Sequence, residues 1–195
     1  MSDYRYISFC RESHTGVITL RRPQVMNALN KEITQELHQL LEEIPSYFPD
    51  IRVVILTGEG RGFCSGADLS RMGTGGSENR RENSKNGHKR IQELAQAFRD
   101  LPQPVIAAIN GPAVGAGFSL AMASDIRIAS ESSRFSAIFV RRGLVPDTAA
   151  STTVVAVAGF AVAAEMSLTG SIYSSSWALS KGLVSKVVPD ELLMP

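Results

Sequence analysis

An α/β fold is what this sequence predicts, on three observations. Short runs of β-branched and aliphatic residues alternate along the chain with longer segments of helical spacing. Two of the runs, Val53-Val54-Ile55-Leu56 and Val105-Ile106-Ala107-Ala108-Ile109, are apolar throughout, as expected of strands covered on both faces. A turn of small residues follows each of these two and leads to a helix start.

Taken in order, Tyr6-Ile7-Ser8-Phe9 and Val17-Ile18-Thr19-Leu20 read as a hairpin, with turn residues from Ser13 to Gly16 between them. Asn30 is a candidate N-cap for a helix over 31–48. Ile33, Leu37, Leu40, Leu41 and Ile44 form its apolar stripe, and Pro45 and Pro49 end it. After the first apolar strand, Gly58 to Gly62 turns the chain. The stretch 71–89 is rich in glycine and charge and reads as a surface loop before a helix over 91–101, which Pro102 and Pro104 stop. After the second apolar strand, Gly111 to Gly117 leads into a short apolar helix ending at Ala123. Asp125 to Ala129 reads as a third strand. A helix over 148–164 with a break near Gly159, a short helix over 175–181 and a last strand over 183–188 follow. No repeat or linker divides the chain, so 1–195 reads as one domain.

Composition excludes several classes of function. Twenty Lys and Arg against 19 Asp and Glu leave a net charge of +1, too little to draw nucleic acid or an anionic membrane, and neither is expected as a partner. Cys10 and Cys64 form no C-x-x-C pair, so no metal site is expected. The N-terminal residues carry no apolar leader, and the run 154–164 is too short to span a bilayer, so the expected location is cytoplasmic. No Gly-Lys-Ser or Gly-Lys-Thr occurs, which removes a P-loop.

Two segments share one design. Leu56-Thr57-Gly58 leads to Phe63-Cys64-Ser65-Gly66-Ala67-Asp68-Leu69, and Ile109-Asn110-Gly111 leads to Val114-Gly115-Ala116-Gly117-Phe118. Small residues admit close approach to the backbone, and a helix start offers unpaired N–H groups with partial positive charge. Two such ends aimed at one point would bind a developing oxyanion, where one donor is worth about 3–4 kcal/mol of transition-state stabilisation. The same glycines could instead serve tight helix–sheet packing, and spacing alone leaves both readings open.

These stretches, with Leu20-Arg21-Arg22-Pro23-Gln24-Val25-Met26-Asn27-Ala28-Leu29-Asn30, Ala108 to Gly117, Asp125 to Ala129, Gly143 to Asp147, Leu168 to Gly170 and Ala178 to Val184, resemble the crotonase, or enoyl-CoA hydratase/isomerase, family nearly end to end. The resemblance implies a crotonase-like superhelix of stacked ββα turns, here without the family's usual C-terminal helical segment. It implies an acyl-CoA thioester as substrate, coenzyme A entering only as part of that substrate, and a homotrimer or hexamer. It implies Ala67 and Ala116 as the oxyanion donors. Asn27, Ala28, Ser65, Gly66, Asp68 and Leu69 would line the CoA groove, with Arg22 near the phosphates, and Gly115, Phe139 and Leu144 would also contact the substrate.

The departures from the family pattern are informative. Hydratases of this family carry one glutamate three residues after the second oxyanion donor, where this chain has Ser119, and a second where it has Phe139. Hydration needs groups that deprotonate water and protonate carbon, which serine and phenylalanine do not supply. Asp147 falls where the family's isomerases keep a catalytic aspartate, and one carboxylate suffices for a 1,3-proton shift. Three alternatives stand beside that role: Asp147 as a mere N-cap of the following helix, Asp147 as the nucleophile of a dehalogenase-like hydrolase, or a non-catalytic acyl-CoA-binding paralogue. Asp68 is expected to cap a first turn, Asp125 to pair locally, Trp177 to join the core, and His14, His38 and His88 to be solvated.

Overall fold

The structure is a computed structural model that describes residues 4–71 and 91–194. The expected loop over 71–89, the cationic run from Arg80 to Arg90 and His88 lie, beyond position 71, outside the described residues.

The hairpin forms, with longer arms than expected. β1 (Ile7–Glu12) pairs antiparallel with β2 (Thr15–Leu20), so Thr15 and Gly16 belong to the strand and the turn narrows to Ser13 and His14. β2 then pairs in parallel with β3 (Val53–Gly58), and β3 with β4 (Val105–Ile109). α1 (Lys31–Glu43) begins where Asn30 accepts a hydrogen bond from the Ile33 N–H at 3.0 Å. Ile33, Leu37, Leu40 and Ile44 are fully buried. Each such side chain contributes about 2 kcal/mol of hydrophobic stabilisation. The helix is shorter than the expected 31–48. Pro45 has no N–H to continue the ladder, so the chain tightens into a 3-10 turn over Ile44–Tyr47, and the Gln103 amide takes up the Ile44 carbonyl at 3.0 Å.

Beyond β4 the chain repeats one unit: a strand of the main sheet, a very short strand of a second sheet, then a helix or turn. β4 is followed by β5 (Ala113–Val114) and α3 (Ala116–Ala123). Next come β6 (Ile126–Ser130), β7 (Arg134–Ser136) and a 3-10 turn over Ile138–Arg142. α4 (Ala150–Thr169), β8 (Tyr173–Ser174), α5 (Ser175–Ser180) and β9 (Lys186–Val188) complete the described chain. The main sheet has the order β1-β2-β3-β4-β6-β9 and the small sheet β5-β7-β8. The helix over 91–99, α2, precedes β4 and buries Leu94, Ala95 and Phe98. Single bridges from Leu29 to Ala67 and from Cys64 to Ala113 carry the second layer back to the first half of the chain. The Asp125 carboxylate accepts from the Val105 N–H at 2.8 Å, and Trp177 stacks on Tyr173 with ring centroids 3.9 Å apart.

α4 runs five residues beyond the expected end at 164 and starts at Ala150. Gly159, at φ 82° and ψ 165°, breaks it into two pieces. By length and composition alone its 20 residues could cross a bilayer, but the break at Gly159 makes neither piece long enough. Much of its apolar surface is uncovered among the described residues: Phe160 is 77% and Leu168 76% exposed.

Candidate active site

The loop after β3 is stapled to the start of the next unit by its backbone. The Cys64 N–H donates to the Pro112 carbonyl at 3.0 Å, and the Val114 N–H returns to the Cys64 carbonyl at 2.9 Å. On the other side Leu29 gives its N–H to the Gly66 carbonyl at 2.8 Å and takes the Asp68 N–H at 2.9 Å. That bridge flanks Ala67, so the Ala67 N–H is turned away from Leu29. Gly66 lies directly against the start of α3. A Cβ at this residue would stand 2.8 Å from the Val114 oxygen and 3.4 Å from the Ala116 nitrogen, and its φ of +95° suits glycine.

α3 starts without a side-chain cap and has no acidic residue in its first turn. Its first amides are therefore donors at the positive end of a buried helix. Among the described residues neither the Ala67 nor the Ala116 N–H has a hydrogen-bond partner. The packing reading of the glycines also holds, since a Cβ on Gly117 would collide with the Cys64 carbonyl. Tight packing thus brings the two open donors into one neighbourhood. Beneath them the Cys64 thiol is buried, donates to the Asn27 carbonyl at 3.2 Å and is pushed up by burial to about 12, which makes it a poor nucleophile.

The residues expected along the CoA groove fall into two groups. Leu69 is 38% exposed, and Ser65 and Asp68 are half-buried at the surface of the loop. Asn27 does not line a groove. It is fully buried, its oxygen accepts from the Arg22 N–H at 2.8 Å, and its amide donates to the Glu59 and Gly62 carbonyls. Sequence reasoning expected a surface role; the left-handed φ of 56° at Asn27 instead makes it the internal brace of the loop. Ala28 is nearly buried.

Arg22 is drawn inward. Its guanidinium donates to the Ala28 carbonyl and to Asp68 Oδ2 at 2.9 Å, with only 12% of the side chain exposed. Asp68 caps the 3-10 turn after it, accepting from the Ser70 N–H and hydroxyl. Burial raises the Asp68 carboxyl, but the bonds from Ser70 and Arg22 outweigh it and hold the group below the usual carboxylate range.

The acid enters from a third element. Phe139 is buried in the 3-10 turn, and Leu144, 42% exposed, closes that turn by donating to the Phe139 carbonyl at 3.0 Å. Asp147 is half-buried just beyond. It is not the cap of α4: the cap position is Ala149, no side chain caps the helix, and Thr148 and Ala149 both sit at positive φ. The cap alternative is therefore corrected by a tight left-handed corner that starts the helix two residues later. Ser119, fully buried on α3 one turn after Ala116, places its hydroxyl 3.2 Å from both the Gly115 and Asp147 carbonyl oxygens. On the Asp147 carboxylate, Thr148 donates to Oδ1 at 3.1 Å and Gln92 of α2 to Oδ2 at 3.4 Å. Sequence reasoning missed both; a polar residue early in α2 carries no local mark of its partner.

Among the described residues no group of three or more His, Cys, Asp and Glu could hold a metal. His14 lies at the hairpin turn with Nδ1 3.1 Å from the Asp50 carbonyl.

Residues 11–195 match the family model described as enoyl-CoA hydratase/isomerase. A probable enoyl-CoA hydratase of Mycobacterium bovis is 41% identical over 181 residues, 91% of this chain and 63% of that protein. A 1,2-epoxyphenylacetyl-CoA isomerase of Escherichia coli is 36% identical over 182 residues, 93% of this chain and 69% of that protein. The crystal structure of an enoyl-CoA hydratase from Bacillus anthracis superposes with a TM-score of 0.89 at 35% identity, covering 97% of this chain and 72% of that one. The chain thus spans 63% to 69% of the length of those two curated relatives.

Proposed function

This chain belongs to the enoyl-CoA hydratase/isomerase family, and from that membership we propose that it is an acyl-CoA isomerase in which Asp147 moves one proton across three carbons. The Ala67 and Ala116 N–H groups hold the thioester oxygen. Asp147 takes a proton from the α carbon, electron density passes to the thioester oxygen, and the two amides stabilise the enolate. The same proton returns from Asp147 at the γ carbon as the double bond moves into conjugation, so no water and no cofactor enters the balance.

The observation that carries the reading is the Ser119 hydroxyl on the Asp147 carbonyl. It joins the acid at the position of the family's isomerase aspartate to the helix whose start supplies a donor, about one turn away. The hydratase glutamate positions are meanwhile Ser119 and Phe139, both buried. A relative named as an isomerase adds support.

The test is turnover of a 3-enoyl-CoA. Asp147→Asn should lower kcat by about 10²–10⁴-fold, with CoA-ester affinity by calorimetry kept within a few-fold. Turnover equal to the parent's would refute the assignment. For the assembly we propose a homotrimer or hexamer, which would cover the exposed Phe160, Leu168 and Ile172.

A further inference from the structure

We infer that Gln92 is a positioning residue for Asp147: its side-chain amide sets the direction of the carboxylate from a different element of the fold. The inference rests on the reading of Asp147 as the acid/base. Three contacts to Asp147 are made by side chains of the described residues. Its carbonyl takes the Ser119 hydroxyl at 3.2 Å, which fixes the main chain against α3. Its Oδ1 takes the hydroxyl of the next residue, Thr148, at 3.1 Å. Its Oδ2 takes the Gln92 amide at 3.4 Å, across 55 residues of sequence. Thr148 moves with Asp147 along the same left-handed corner, so it cannot choose the direction of the carboxylate relative to the oxyanion donors. Gln92 stands on α2, which is anchored separately through Leu94, Ala95 and Phe98, and it can.

The amide also suits the chemistry. It donates a hydrogen bond to the carboxylate without giving up a proton, so it cannot quench the base. An arginine there would bind the carboxylate more tightly and oppose its protonation in the middle of the shift. The charged groups on the elements around Asp147, among the described residues, are Glu93 and Arg99 on α2 and Arg141 and Arg142 on the 3-10 turn. α3 carries none, and α4 carries only Glu165, near its far end. A carboxylate at position 92 would therefore be a new charge on a residue already touching Asp147.

Three variants of the full chain are compared with the parent on a 3-enoyl-CoA: Asp147→Asn, Gln92→Leu and Gln92→Glu. Gln92 is exposed on a helix surface, so these changes leave folding intact, which circular dichroism checks. Gln92→Leu should lower kcat about tenfold with KM within twofold of the parent, since the carboxylate loses its guide but the ester keeps its site. Gln92→Glu should move the acidic limb of the kcat profile up by roughly one pH unit, because two neighbouring carboxylates resist joint ionisation. If Asp147→Asn is inert while both Gln92 variants keep the parent's kcat and pH profile, the positioning role is overturned and the acid/base reading stands. If Asp147→Asn turns over like the parent, both fall together.

Discussion

The two halves of the site are built by opposite means. The 64–68 loop and the start of α3 present main-chain N–H groups, held by backbone bonds on both flanks and by contacts that only glycine permits. The 139–149 segment presents one side chain from a left-handed corner, next to a helix whose apolar surface lies largely open. Short of proline, a substitution leaves the amide N–H in place, and its placement is tied to the packing of the core. The carboxylate is a single replaceable group, contacted by Gln92 and Thr148. Under the proposed function, the same pair of amides can therefore serve different chemistries as residues such as Ser119, Phe139 and Asp147 change around it. Within the second half, the Asp147→Asn and Gln92 experiments above read the two contributions apart.

The first half breaks most sharply at Gly117. Replacing it with Ala should gain about 1 kcal/mol of helix propensity. The new methyl meets the Cys64 carbonyl and side chain, however, and overpacking of this kind costs about 1–3 kcal/mol before the loop yields. The clash wins, and because the loop must move, kcat should fall by about 10²-fold alongside a lower urea midpoint. A Gly117→Ala protein with the parent's kcat would show that the two donors tolerate displacement.

A smaller effect is expected at the Arg22–Asp68 pair, which shapes the outer side of the same loop. Asp68→Asn should cost roughly 1–2 kcal/mol, since the pair is mostly buried and Arg22 loses its anionic partner. The Asp68 carboxyl is held low in the folded state. Its contribution is therefore present above the unfolded value and lost as pH falls through the folded one. The stability gap between parent and variant should be full at pH 7 and close below about pH 4. A gap independent of pH down to about 2 would mean that the carboxylate charge is not what the loop uses.

The smallest stability effect belongs to the second half. Phe160→Ser removes an aromatic ring that is 77% exposed, so the stability of the isolated chain should change by less than about 0.5 kcal/mol. Sedimentation should instead shift toward smaller species if that face meets another copy. An unchanged sedimentation profile would count against the proposed assembly at this face.

Much of the scaffold could be read from residues because its signals are local. The apolar run Val53 to Leu56 forms a strand, Asn30 caps α1, and Gly159 breaks α4 where expected. β5, β7 and β8 were not legible. They are two or three residues long and exist only through pairing across the small sheet, such as Ala113 with Phe135 and Phe135 with Tyr173. Asn27 shows the same limit at the site: its place in the family motif pointed to the groove, whereas its burial comes from carbonyls at Glu59 and Gly62.

What the sequence alone determined is the order of the longer strands and helices, the two glycine-rich turns, and the lack of carboxylates at positions 119 and 139. Those follow from periodicity, backbone conformational preference and side-chain chemistry, each a property of neighbouring residues. Tertiary structure decided that Asn27 and Arg22 brace the loop from within, that Asp147 does not cap its helix, and that Gln92 and Ser119 meet it. Apart from the helix start, each depends on hydrogen bonds between segments far apart in the chain, and only the packed core brings such partners within reach.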